Sequence, residues 1–453
     1  MKFKINKVGF AGLLLLLTNA AFAQSADTLR LSLAEAIQLA VQQNPQLQST
    51  QLDEEINQAK VQEVRASALP QINGDASFTD NFLRASQILP GEVFGQPGES
   101  IAVKFGTRYQ MGANAQISQT LYNPSLTIGL KAAKASQGLY ELQTFKSKED
   151  LIYNVVNLYM KLQMIEKQTE LIDSNLGRTQ RLIDITSAQF KEGIIKKVDV
   201  DQLKVNYTNL TTQLSNTMNT RAQLLNNLKT LMNVDSEQPI AITEVGIEPV
   251  TVSQQLDLSA NTDLALVDYQ RKLQDLNTAS IRAGYLPSLS LIANLGYQAQ
   301  TNELFNSTAT KGFGSGLYGL RLSIPIFDGF ARKSKITQSQ YQSRQLELNR
   351  KYLMRNVENQ FVNARNNVQQ NRKVLVAQEE NMQVAEELYN VAKLSYTEGI
   401  SPLSELINAE NGLKEAQTQY LTAMLQINLA ELDLMQSSGQ LSQLIKNTAP
   451  IQK

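Results

Sequence analysis

Proline is absent between Pro124 and Pro239 and again between Pro325 and Pro402, and nothing else restricts the fold of this chain so tightly. Glycine is sparse in both windows, where Gln, Leu, Ala, Asn, Glu and Lys dominate. Inside a helix proline costs about 3 kcal/mol and glycine about 1 kcal/mol, so long windows nearly free of both predict very long helices. In the first window Val155, Leu158, Leu162, Ile165, Thr169, Ile172, Leu176, Thr179 and Ile183 keep a strict 3-4 spacing. In the second, Phe361, Ala364, Val368, Asn371, Leu375, Gln378, Met382, Ala385 and Tyr389 do the same. Such a stripe stays on one helix face and favours left-handed coiled-coil packing. The polar seam positions (Thr169, Asn371, Gln378) predict a thin, wet interface. A helix from Gly329 to Thr397 would run about 100 Å, longer than a compact soluble domain needs.

The chain also repeats itself. Asn44, Leu47, Ala66, Leu69 and Pro70 recur at one constant offset as Asn261, Leu264, Ala283, Leu286 and Pro287. Glu192-Gly193-Ile194 recurs at a slightly shorter offset as Glu398-Gly399-Ile400, which aligns the two helical seams as well. Each seam stops at its glycine, where a helix C-cap or tight turn forms easily. Return helices follow, marked by Val200, Leu203, Tyr207, Leu210 and Leu214 in one half and by Leu406, Ala409, Leu413, Ala416 and Tyr420 in the other. The expected division is a first repeat over 24–240, with a β-hairpin at 71–122 and a helical hairpin at 125–234. A linker follows over 241–260. The second repeat covers 261–440, with a β-hairpin at 288–327 and a helical hairpin at 329–438, and a tail occupies 441–453.

The hairpins are read from period-2 alternation. Ile72, Gly74, Ala76, Phe78 and Phe82 alternate with polar residues, as do Tyr109, Met111, Ala113, Ala115, Ile117 and Leu121. The second half carries Leu289, Leu291, Ala293, Leu295 and Tyr297, then Tyr318, Leu320, Leu322, Ile324 and Ile326. Four strands of about ten residues have the length that crosses an outer membrane when tilted. Turn-rich loops are expected at 83–105 and 301–315. Tyr109, Leu291, Leu320 and Ile324 are the residues expected to face lipid. Half-buried strands of a soluble sheet would show the same alternation.

Composition removes most enzyme classes. The chain has no Cys, His or Trp, which excludes disulfides, thiolate and imidazole metal sites, and catalysis by Cys or by a His base. Carboxylate-only chemistry survives this test, but a hydrolase of that kind lacks a compact domain to house its site. No cofactor and no metal are expected. The 42 Lys and Arg match 42 Asp and Glu, so no nucleic-acid partner is expected. At the N-terminus, Lys2, Lys4 and Lys7, the apolar run Val8 to Thr18, and Ala21-Phe22-Ala23 read as a cleaved signal peptide over 1–23. No cysteine follows to carry a lipid anchor. Export without a spanning helix leaves membrane contact to strands or to a surface.

The order helix, two strands, long helix and return helix, given twice, resembles the TolC-type outer-membrane efflux proteins. The residues that carry the resemblance are Leu69-Pro70 and Leu286-Pro287, the segment Ile326-Phe327-Asp328-Gly329, and the paired Glu-Gly-Ile tips. The fold class expected is therefore an α+β membrane protein. The resemblance implies a homotrimer whose chains each lend four strands to a 12-stranded outer-membrane β-barrel, continued through the periplasm by an α-helical coiled-coil barrel. It implies an exit duct of a tripartite efflux or type I secretion system, docked to a periplasmic adaptor and an inner-membrane pump of RND or ABC type. Gly193, Ile194, Gly399, Ile400 and Leu403 would touch the adaptor, although both glycines also suit plain helix caps. Glu405 and Asn408 match the acidic positions of the family's pore constriction, the second as an amide. The equivalent place in the first repeat holds Asp199, with Asp201 after it and Lys196 and Lys197 before it. Glu405 equally suits the first turn of a helix capped by Ser401 with Pro402 at its first position. A periplasmic coiled-coil adaptor is the rival reading, and it would need one helical hairpin between compact β domains. Drug efflux, metal export and protein secretion would all use the same conduit.

Overall fold

The computed structural model describes residues 28–95, 97–243, 255–304 and 308–441. The expected signal segment, most of the expected linker and the tail beyond Leu441 lie outside the described residues. A short strand β1 (Leu29–Leu31) leads into α1 (Leu33–Gln43) and α2 (Pro45–Ala66). Ser32 opens α1 with a capping box: its hydroxyl accepts from the Glu35 amide, and its own amide donates to the Glu35 carboxylate at 2.8 Å. Asn44 ends α1 and starts α2, its Oδ1 accepting from the Leu47 amide at 3.0 Å, with Pro45 in the first position where no amide is needed. Asn261 opens α5 (Thr262–Ala283) through the same bond to Leu264, also 3.0 Å.

Strands β2 (Gln71–Asp80), β5 (Tyr109–Tyr122), β7 (Ser288–Thr301) and β8 (Lys311–Ser323) form one antiparallel sheet in the order β2-β5-β7-β8. Strands β3 (Ser86–Pro90) and β4 (Ser100–Lys104) pair only with each other, so the expected loop 83–105 contains a small hairpin. The last strand also departs from expectation, beginning at Lys311 and ending at Ser323. Pro325 has no amide to donate and the ladder stops before it, leaving Ile324 and Ile326 in the irregular segment that leads to α6. The early start was hidden because Gly312, Gly314 and Gly316 occupy the positions where apolar side chains would reveal alternation. Tyr297 fills the space of the first, lying where a side chain on Gly312 would stand.

From the sheet the chain enters α3 (Pro124–Lys191) and α6 (Ala331–Thr397), helices of 68 and 67 residues, each about 100 Å long. Asn123 caps the first through the Leu126 amide at 3.2 Å, again followed by proline. Their return partners α4 (Lys197–Met232) and α7 (Leu403–Ser437) cover only the half farthest from the sheet, while α2 and α5 flank the near half. The thickest core lies where these two levels meet. There Ile37, Leu47, Ile152, Val155, Leu162, Leu228, Met232 and Leu432 are buried together beneath β1, which pairs in parallel with β6 (Ile240–Ile242). Tyr159 is buried in this core, its hydroxyl 3.0 Å from the Leu31 carbonyl and 2.8 Å from that of Thr243. Along α6 the seam residues Asn371, Leu375, Gln378 and Met382 are only half-buried against α7. A second stripe on α6, with Tyr341, Tyr352, Val376, Leu388, Val391 and Leu394, is exposed.

Candidate functional site

Two regions at opposite ends of the long helices carry the functional candidates. In the sheet, register assigns side chains to faces, because directly paired residues of antiparallel strands point the same way. One row runs Ile72, Ile117, Ala293, Tyr318, and a parallel row contains Leu291 opposite Leu320. The opposite face carries Asn73, Gln116 and Asn294 in one row and Asp75 and Asn114 in another, the last two hydrogen-bonded at 3.3 Å. Ile292, Phe313 and Leu317 are apolar exceptions on this polar side. On the β8 part of the apolar face Leu320 is 66% exposed and Tyr318 87%. Leu291 and Tyr109 share that face; Tyr109 sits at the strand end, stacked on Phe78 at 6.0 Å beneath the Arg108 guanidinium. Ile324 does not belong to the sheet. The outer edges of β2 and β8 have no neighbouring strand among the described residues.

At the far ends, Gly193 (φ +75°) and Gly399 (φ +71°) take the left-handed conformation that only glycine adopts without strain. Both close Schellman motifs: Ile194 donates to the Gln189 carbonyl at 2.9 Å and Ile400 to that of Ser395 at 2.8 Å. The turns push the next side chains outward, so Ile194 is 70% and Ile400 79% exposed. Leu403 differs from its expected role. It is 6% exposed, packed with Ile183, Leu203, Tyr389, Leu406 and Ile407 in a core that joins the two helical hairpins. The apolar surface at this tip therefore belongs to Ile400.

Glu405 and Asn408 are both exposed on the first turns of α7. The helix start lies one residue later than expected. Pro402 is the cap, Leu403 the first helical residue, and the Ser401 hydroxyl is buried without a hydrogen bond. In α4 the equivalent acid is tied down, since Asp199 accepts from the Lys196 amide at 3.2 Å. Pro402 has no amide to offer, so Glu405 makes no such bond, and it has no ion-pair partner among the described residues. One repeat thus holds its first-turn carboxylate as a cap and the other leaves it free.

Sequence reasoning missed Glu410. It is 1% exposed on α7, and its carboxylate meets Lys414 and the Thr179 hydroxyl of α3, both at 3.2 Å. Asn175 and Arg178 hydrogen-bond beside it, and the Arg178 guanidinium lies 5.9 Å from the Tyr389 ring. Burial and then the Glu410 charge push the Tyr389 hydroxyl up, against Arg178 and Arg181. A polar Thr179 inside an apolar seam was the available signal. Nearer the middle, Tyr153 donates to Asp433 at 2.6 Å, and burial followed by that carboxylate pushes its pKa up to about 12.

Among the described residues no group of three His, Cys, Asp or Glu could hold a metal ion, and no helix is long and apolar enough to cross a membrane. The arrangement offers long walls, one apolar sheet face and exposed tips, with no reacting constellation. The adaptor reading fails on topology, because two helical hairpins hang from one shared sheet.

Known proteins place this architecture. The chain is 24% identical over 421 residues to outer membrane protein TolC of Salmonella enteritidis, covering 88% of this chain and 81% of that protein. It is 23% identical over 456 residues to TolC of Escherichia coli K12, with 92% and 87% covered. The outer membrane protein VceC of Vibrio cholerae superposes with a TM-score of 0.72 at 16% identity, over 90% of this chain and 96% of that one. The family model described as outer membrane efflux protein matches residues 36–234 and 253–440. The chain therefore belongs to the outer membrane efflux protein family.

Proposed function

We propose that the chain is the outer-membrane exit duct of a tripartite efflux or type I secretion system, and that it works as a homotrimer. One observation carries this reading. The sheet has exposed apolar side chains on one face of β8, two outer edges without a neighbour among the described residues, and α2, α3, α5 and α6 all joining it at one end. Open edges leave unpaired amides and carbonyls that hydrocarbon cannot satisfy, so a lipid-facing sheet must close on itself. Four strands are too few, whereas three copies pairing β8 of one with β2 of the next give a 12-stranded barrel. The exposed stripe on α6 would be covered in the same step, each copy's hairpins packing on its neighbour's to make a helical tunnel. The matched caps at Asn44 and Asn261 and the matched turns at Gly193 and Gly399 support a tandem duplication, divided over 24–240 and 261–440.

In this assembly Leu291 and Leu320 face lipid three residues in from the helix-side strand ends, and Tyr109 marks the opposite rim. The polar face lines the lumen. Gly193-Ile194 and Gly399-Ile400 meet the helical hairpins of a periplasmic adaptor, which couples the duct to an RND or ABC pump in the inner membrane. Glu405, with Asn408 one turn on, lines the narrow periplasmic end. Three symmetry-related carboxylates there would repel one another and attract cations. The duct needs no cofactor. Its localisation is the outer membrane with an extension into the periplasm, reached by signal-directed export. The decisive test is the mass in detergent by light scattering, where three chains per particle are expected and a monodisperse monomer with intact β-signal would refute closure. Because the chain has no cysteine, Ile400→Cys paired with a cysteine at the adaptor tip should crosslink in cells. Crosslinks confined to mid-helix positions such as Glu358 would refute tip docking.

A further inference from the structure

The rim of the sheet that meets the helices is basic, and the opposite rim is not. Register brings four strand ends together at the helix side, since Gln71 pairs with Ser118, Ser118 with Ile292, and Ser288 with Ser323. The last turns of α2 and α5 and the first turns of α3 and α6 therefore form one collar just beyond the sheet. Lys60, Arg65, Lys131, Lys134, Lys333 and Lys335 lie exposed in it without an ion-pair partner among the described residues. By helical rise they sit from about 2 to about 15 Å beyond the helix ends that meet the sheet. Glu63 and Asp275 offset them only in part, and Asp328 is engaged by Arg332. At the other rim, segments 80–108 and 302–311 hold acidic and basic residues in equal number, with Arg108 paired to Asp80 at 3.1 Å. The whole chain is also balanced, so the collar is a local concentration of charge.

Helix electrostatics account for only part of it. Arg65 stands in the last turn of α2, where a cation suits the helix dipole. Lys333 stands in the first turn of α6, where the dipole disfavours it, and Lys131 and Lys134 lie in the third turn of α3, beyond the reach of the dipole; neither helix has an acid in its first turn. The electrostatics of these helices therefore do not account for the lysines, whereas an anionic partner outside the chain would. What lies against this collar, when the apolar face is in lipid, is the headgroup layer of the adjoining leaflet, whose charge-bearing groups are phosphates.

We infer that this collar binds anionic phospholipid headgroups of the leaflet on the helix side and fixes the depth and orientation of the duct in the membrane. The inference rests on the membrane-inserted reading above. To test it, the protein is inserted into vesicles of equal parts phosphatidylcholine and phosphatidylglycerol, re-extracted into polymer nanodiscs, and the co-purified lipid is quantified. Phosphatidylglycerol should exceed its bulk fraction about two- to fivefold around the wild type, and the excess should vanish at high salt. Joint replacement Lys131→Gln, Lys134→Gln, Lys333→Gln and Lys335→Gln should remove it, while Lys104→Gln with Lys311→Gln at the other rim should not. Insertion with lipid at the bulk ratio, or enrichment that survives the collar variant, overturns the inference and leaves the duct reading intact. Failure to insert into these vesicles overturns both. If the collar variant does not fold, the salt dependence of the wild type decides.

Discussion

Replacing Lys414 by Met tests how the two helical hairpins are held together at their far end. Glu410 is 1% exposed, and Lys414 and Thr179 are its hydrogen-bonding partners, so Lys414→Met leaves a buried carboxylate with one neutral hydroxyl. Removing one partner of a buried pair costs about 3–5 kcal/mol, because the remaining charge keeps its desolvation penalty without compensation. The Lys414 side chain is itself only 15% exposed, so solvent cannot take over the lost interaction. Removing both charges with Glu410→Leu and Lys414→Met should land within about 1 kcal/mol of the wild type or above it, since apolar replacements escape that penalty. The assay is native-state hydrogen exchange of the α3 and α7 amides around Thr179 and Glu410. At about 1.4 kcal/mol per decade, exchange in Lys414→Met should accelerate by about two to three and a half orders of magnitude, with the double variant close to the wild type. An acceleration below about fivefold in the single variant, or a double variant worse than the single, would refute the claim that Glu410, which reaches Thr179 of the other hairpin, is a buried charge held by Lys414 on its own helix.

Three further outcomes follow from the geometry. Leu320→Arg places a charge on the apolar face of β8, three residues from its helix-side end, and should cost about 1–3 kcal/mol of strand insertion per chain, between the midplane and interface costs, read as loss of heat-resistant oligomer on gels; unchanged assembly would mean that this face does not meet lipid. Burial holds the Glu149 carboxyl above its ordinary value of 4.5 despite the Thr262 hydroxyl and Lys146. A proton bound more tightly in the folded state stabilises it below the unfolded pKa, and that gain is lost as pH rises through the folded one. Wild-type thermal stability should therefore improve relative to Glu149→Gln as pH falls from 7 towards 4.5, and a constant difference would contradict the shift. Tyr159→Phe removes the hydroxyl that meets the Leu31 and Thr243 carbonyls and should cost about 1–3 kcal/mol by thermal unfolding; a change within error would show that those carbonyls find other donors.

The helices were legible because their signal is redundant. Proline-free windows, seams and capping asparagines before Leu47, Leu126 and Leu264 all report the same ends. The strands were legible where alternation has side chains to show it, as in β5 and β7. They were not legible in the first half of β8, where Gly312, Gly314 and Gly316 erase the pattern and Tyr297 of the neighbouring strand supplies the missing bulk. The β3–β4 hairpin is five residues a side and is bounded by Pro90, Gly91 and Gly98, so local turn chemistry outweighs its pattern. At the tips, the glycine turns follow from sequence, but the direction of a side chain two or three residues later does not. Leu403 points into the core and Ile400 away from it, a consequence of where α7 resumes after Pro402. Glu410 was invisible for a related reason: a charged residue next to an apolar seam normally faces solvent, and only the position of α3 buries it.

The central claim, that this chain forms a closed duct through a membrane, is tested most directly by single-channel recording in a planar lipid bilayer. The account predicts stable unit steps of cation-selective current blocked by multivalent cations, with Glu405→Gln reducing both selectivity and block because the free carboxylate at the narrow end is gone. Protein incorporated into the bilayer that passes no current would contradict the duct, and steps whose selectivity and block are identical in Glu405→Gln would remove Glu405 from its constriction.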